Sequence, residues 1–109
     1  LVFVSDEYLS DLKKKYFKVN QYTDVIAFRL NEYGTPFVEG EVYISLQRAK
    51  ENARIFDEPY SREVSRLIIH GCLHLIGLKD KTHTEKENMT NNEDAILKLI
   101  NWAGLFEDK

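Results

Sequence analysis

The segment from Ser61 to Gly77 constrains the fold more than any other part of the chain. Val64, Leu67, Ile68, Ile69, Leu73, Leu75 and Ile76 leave it no broad polar face, so as a helix it must be covered on most sides. Ser61 is suited to cap its start, with Glu63 in the first turn, and Gly77 to end it at C′. Into this apolar setting fall His70 and His74, four residues apart, whose side chains share one helix face. Two imidazoles buried there without partners nearby in sequence need compensation, from hydrogen bonds within the core or from a metal ion.

The residues that follow sharpen the choice. Gly77 allows a sharp turn, and Asp80 arrives just beyond it, where a carboxylate can fold back as a third ligand. Two ligands on a helix, a glycine turn and a ligand on the returning loop suit a catalytic zinc site, which keeps a fourth position open. The spacing alone also admits two histidines satisfied within a core. Gly71 stands where the zinc-peptidase signature H-E-x-x-H carries its glutamate base, which weakens a peptidase reading and leaves room for something to approach the helix. Cys72, two positions from each histidine, faces away from them and is expected in the core.

Around this helix the periodicity predicts an α+β domain, with strands early and helices late. Leu1 to Val4 reads as a strand, and Asp6 as the cap of a helix with Leu9, Leu12 and Tyr16 at helical spacing and Lys13 to Lys15 at its end. After a loop over Asn20 to Thr23, Asp24 to Leu30 reads as a largely buried strand. Val38, Gly40, Val42 and Ile44 mark the inner face of its antiparallel partner, joined to it through the turn at Gly34, Thr35 and Pro36. Ser45 caps a helix with the stripe Leu46, Ala49, Ala53 and Phe56, broken near Pro59. Thr84 opens the last helix, with Ile96, Leu97, Ile100 and Ala103 as its buried face, Gly104 closing it, and Trp102 and Phe106 packing at its end. Thr23 and Asp24 cap the junction into their strand or line a cleft. The expected architecture is a small mixed β-sheet against several helices, with the histidine helix central.

Composition bounds the function. With 109 residues there is enough chain for one core, and no apolar run approaches the roughly 18 residues of a membrane span. One cysteine excludes an internal disulfide framework, which suits a reducing cytosol. The net charge of −3 is a poor global match for a polyanion, so a nucleic acid would need a local patch. Lys13 to Lys15, Lys18, Arg48 and Arg66 are its candidates, although a lysine run is commonly a solvated helix end.

His70-Gly71-Cys72-Leu73-His74-Leu75-Ile76-Gly77 resembles the H-G-x-L-H-L-x-G core of the YbeY family of rRNA-maturation metallohydrolases. Thr23-Asp24-Val25-Ile26-Ala27-Phe28 resembles the family's T-D-V-L-S-F strand, and Gly40-Glu41-Val42-Tyr43-Ile44-Ser45 its G-D-I-x-I-S strand. Met89 and Glu93 resemble the M-x-x-x-E of its last helix. These segments cover nearly the whole chain in order. The resemblance implies a single domain over residues 1–109, lacking the strand and helix that the family carries before this point. It also implies a zinc-dependent, single-strand-specific endoribonuclease, with one Zn2+, acting in small-subunit rRNA 3′-end maturation and ribosome quality control. RNA and ribosomal particles are then the expected partners, with no membrane or DNA partner, and the cytoplasm the compartment.

Two departures from the family pattern stand out. Its third histidine falls on Asp80, while His83 lies three residues later and reaches the site only if the loop is rearranged. The ligand set expected is therefore His70, His74 and Asp80, with His83 as the less favoured third ligand. The arginine six residues before the threonine of T-D-V is replaced by Phe17, leaving Lys18 and Arg66 as weak candidates for a phosphate contact. Competing readings are a non-catalytic, metal-containing ribosome-assembly factor and a metallohydrolase of other phosphoesters.

Overall fold

The structure, a computed structural model, describes residues 1–17 and 24–103. The loop expected over Asn20 to Thr23, and the roles expected of Lys18, Gly104 and Phe106, lie outside those residues. The elements run β1 (Val2–Val4), α1 (Asp6–Phe17), β2 (Val25–Arg29), β3 (Gly40–Ser45), α2 (Leu46–Ile55), α3 (Tyr60–Leu75) and α4 (His83–Leu99). Strand β3 is central, antiparallel to β2 and parallel to β1, in the order β1-β3-β2. The α+β expectation and the β2–β3 hairpin are both met. No helix among the described residues is long and apolar enough to cross a membrane.

Helix α3 is apolar on several sides because it lies between two cores. Its Val64, Leu67 and Leu75 pack with Val42 and Ile44 of β3 and Ala49 of α2. Its Ile69 and Leu73 pack instead with Met89 and Leu97 of α4, against which Trp102 also rests. Only Pro59 stands at its N-cap, with no side-chain cap bond. A missing cap costs about 1 kcal/mol, whereas each large aliphatic side chain buried contributes about 1.5–3 kcal/mol, so burial holds this helix. Ser61 lies inside the first turn, buried, and is not the cap expected from its sequence position.

Gly71 shows how closely α3 approaches the sheet. A Cβ there would sit 2.5 Å from Val42 Cγ1, so the room that this glycine leaves is filled by β3. Gly40 meets the end of the same helix, since its Cβ would lie 2.6 Å from Leu75 Cδ2.

Several local expectations need correction. Cys72 is exposed, because neither the sheet nor α4 reaches that side of α3. Ser5, and not Asp6, caps α1: its Oγ accepts from the Tyr8 amide at 3.1 Å. Asp6 instead accepts from Arg48 of α2 and from the Ser45 hydroxyl. Ser45 does cap α2, accepting from the Arg48 amide. The α2 stripe stops at Ala53, with Phe56 exposed beyond the helix. Helix α4 starts one residue earlier than expected, behind a Thr82–Glu85 capping box. Its inward face is Met89, Glu93 and Leu97, while Ile100 and Ala103 are exposed past its end.

Candidate metal centre

A polar seam runs along α3 between its two apolar faces, through Glu63, Arg66, His70 and His74 at helical spacing. The two imidazoles lie edge to face with centroids 4.6 Å apart, and their Nε2 atoms are 3.0 Å apart. Each ring is oriented from its other nitrogen. His74 Nδ1 donates to the Leu78 carbonyl at 2.8 Å, and His70 Nδ1 donates to Glu93 Oε2 at 2.5 Å. A carbonyl only accepts, so the His74 proton is on Nδ1 and its Nε2 presents a lone pair. The carboxylate favours the same tautomer in His70.

The third group arrives through the turn after α3. Gly77 adopts φ +106°, its amide donates to the His74 carbonyl, and the Leu78 amide donates to the Leu73 carbonyl. These two bonds form a Schellman motif, which needs a left-handed residue at C′ and so favours glycine. The same turn aims the Leu78 carbonyl at His74 and returns Asp80. Asp80 Oδ2 lies 3.2 Å from His70 Nε2 and 3.4 Å from His74 Nε2.

Three lone-pair-bearing atoms thus converge. Ligands bound at about 2.0–2.1 Å in a tetrahedral zinc site stand roughly 3.3 Å from one another, so the separations suit one ion of that size. Two imidazole nitrogens and a carboxylate oxygen are an acceptable zinc donor set, and among the described residues this is the group arranged to hold a metal. The local field also favours a cation. Burial alone would lower the His70 pKa, but the Glu93 hydrogen bond and the charges of Glu93, Asp80 and Asp24 outweigh it and raise the pKa.

Beside the histidines lies a partly buried ion network. Arg66 forks onto both Glu63 oxygens at 2.8 and 2.7 Å and reaches Glu93 at 3.4 Å. Asn52 then bridges Glu63 to Asp24. Arg66 is therefore committed to carboxylates, in keeping with a salt-bridged reading and against a free phosphate contact. His83 is not part of the cluster: its side chain is 88% exposed and pairs with Glu87 on α4. Of the basic strip expected from Lys13 to Lys15, Lys18, Arg48 and Arg66, Arg48 is paired with Asp6 and Arg66 with Glu63 and Glu93, while Lys18 lies outside the described residues.

The histidines open into a cavity of about 890 Å³, whose wall includes Asp24, Tyr33, Lys13, Lys79 and Lys81. Asp24 thus lines the cleft in addition to accepting from Asn52. The lysines of the returning loop, Tyr33 and the orienting role of Glu93 were missed by sequence reasoning. Only Glu93 left a signal there, as a charge four residues from Met89 on what would be an apolar helix face.

The chain is similar to known proteins over most of its length. The sequence pattern of the family described as Endoribonuclease YbeY matches residues 1–101. The Endoribonuclease YbeY of Cytophaga hutchinsonii is 42% identical over 98 residues, covering 90% of this chain and 68% of the relative. That of Karelsulcia muelleri is 43% identical over 96 residues, covering 88% and 67%. The solution structure of a Thermotoga maritima protein shares the fold, with a TM-score of 0.54 and 24% identity over 98% of this chain and 75% of that one.

Proposed function

The chain belongs to the Endoribonuclease YbeY family, and from that premise we propose that it hydrolyses phosphodiester bonds in single-stranded RNA with one zinc ion held by His70, His74 and Asp80. The observation that carries this reading is the convergence of two Nε2 atoms and one carboxylate oxygen within 4.8 Å of one another, beside an open cavity. When bound, zinc supplies Lewis acidity toward a phosphoryl oxygen and lowers the pKa of a water at its open position.

The chain's own residues do the rest. Glu93 and the Leu78 carbonyl hold both imidazoles with Nε2 free to ligate. Asp80 in place of a third histidine makes the centre less positive and shifts its metal preference toward harder cations. Lys79 and Lys81, on the loop that carries Asp80, offset the acidic total locally and attract the phosphates on either side of the scissile bond. The family resemblance further implies rRNA maturation at the small-subunit 3′ end and ribosome quality control, with ribosomal particles as partners in the cytoplasm.

Metal analysis joined to an RNA cleavage assay tests the proposal. Zinc content is expected to fall in His70→Ala and Asp80→Ala and to persist in His83→Ala, with cleavage of a single-stranded RNA lost in the first two. Zinc retained in Asp80→Ala and lost in His83→Ala would overturn the ligand set. Unchanged cleavage by folded His70→Ala would remove the catalytic reading. A zinc-loaded wild type that binds ribosomal particles but cleaves nothing would point to the assembly-factor alternative.

A further inference from the structure

Tyr33 lines the same cavity as His70, His74 and Asp80, yet it is 62% exposed. The ring has a neighbour all the same. Arg29, the last residue of β2, holds its guanidinium carbon 4.5 Å from the Tyr33 ring centroid, a cation over one face. That guanidinium is itself anchored: Nε donates to the Asn31 carbonyl at 3.0 Å and to Asn31 Oδ1 at 2.7 Å. Its Nη1 donates to the Leu75 carbonyl at the end of α3 at 2.5 Å, and Nη2 to the Glu32 carbonyl at 3.0 Å. The edge of the ring abuts the metal turn, since a Cβ on Gly77 would lie 3.6 Å from Tyr33 Cε1. Asn31 also cross-links the loop by donating to Thr35 Oγ1 and to the Phe37 carbonyl.

We propose that Tyr33, braced by Arg29, is a stacking platform for one unpaired nucleobase of the RNA substrate beside the metal centre. This rests on the RNA-hydrolysis reading and specifies part of its substrate site. An aromatic ring that only supported the fold would gain by burying itself; this one rests against Arg29 with much of its surface left open. Rigid aromatic rings combined with cations that follow the backbone are how proteins grip single-stranded nucleic acid, because every base offers a π-face. Here Lys79 and Lys81 supply the cations on the adjoining loop. The anchored loop has little conformational freedom left to lose on binding. A base within a duplex is already stacked on both faces, so the platform selects unpaired RNA.

The test uses the full zinc-loaded chain and a short single-stranded RNA, with 2′-O-methyl and phosphorothioate linkages to slow cleavage. 2-Aminopurine is placed at each position in turn. One position is expected to be quenched on binding to the wild type. In Tyr33→Ala that quench is lost and affinity falls about ten-fold or more, whereas Tyr33→Phe and Tyr33→Trp keep both. An RNA abasic at that position should bind wild type and Tyr33→Ala equally, and zinc content should be the same in all four proteins. Equal affinity and quench in wild type and Tyr33→Ala overturns the platform and leaves the RNA reading standing. So does a loss in Tyr33→Ala as large on the abasic RNA as on the intact one, which would mean that the ring only braces the loop. A wild type that neither binds nor cleaves single-stranded RNA overturns both.

Discussion

At the scale of the residue, the two histidines differ in what orients them. His74 is held by a main-chain carbonyl of its own turn, and His70 by the buried carboxylate of Glu93, 3% exposed on another helix. In the proposed site that makes His70 the ligand sensitive to a distant substitution. Glu93→Gln keeps the shape but removes the charge that favours the Nδ1–H tautomer and strengthens the imidazole as a donor. Zinc affinity, read by competition with a chromophoric chelator, is expected to fall about 10–100-fold. Unchanged affinity would show that α3 alone orients the ring.

At the scale of the element, the turn after α3 and the clasp between α1 and α2 are separable. Gly77→Ala forces a Cβ into φ +106° and is expected to cost about 1–2 kcal/mol in chemical denaturation. Because the same turn returns Asp80, zinc affinity should fall as well; a stability loss with full affinity would mean that Asp80 finds its place independently. The clasp is the Asp6–Arg48 pair with the Ser45 hydroxyl. The Arg48 hydrogen bond is the largest influence on the Asp6 carboxyl and lowers its pKa against the opposing effect of burial. A depressed folded-state pKa stabilises above the unfolded value and ceases to do so as pH falls through the folded one. Asp6→Asn is therefore expected to cost about 1 kcal/mol near pH 7, a difference that shrinks once pH drops below roughly 4. A pH-independent difference between the two proteins would rule out a charge effect.

At the scale of the whole molecule, α3 is held between the sheet and α4, and the candidate metal centre sits on the seam where these two cores meet. Gly71→Val would drive new methyl groups into Val42, at a cost of about 1–3 kcal/mol. Val42→Ala should relieve part of that, so a double-mutant cycle is expected to show coupling, and strict additivity would contradict so close a contact. Zinc at 100 times its dissociation constant should stabilise the wild type by about 2.7 kcal/mol and folded His70→Ala by far less, as read from melting with and without a chelator. Much of this was legible in sequence. The all-round apolar character of Ser61 to Gly77 required a covered helix, the four-residue spacing stacked His70 on His74, and Gly77 announced the return of Asp80. These are local consequences of helical period and backbone sterics, which travel with the sequence itself. What the sequence left open depends on which surfaces meet. Cys72 was expected in the core and is exposed, because only packing determines which sides of α3 the sheet and α4 cover. Glu93 and Tyr33 lie 23 and 37 residues from His70 by subtraction along the chain, and their relation to it comes from the docking of α4 and of the β2–β3 loop. Periodicity within one segment determined the histidine pair; only tertiary contact between segments decided what orients it and what lines the cavity with it.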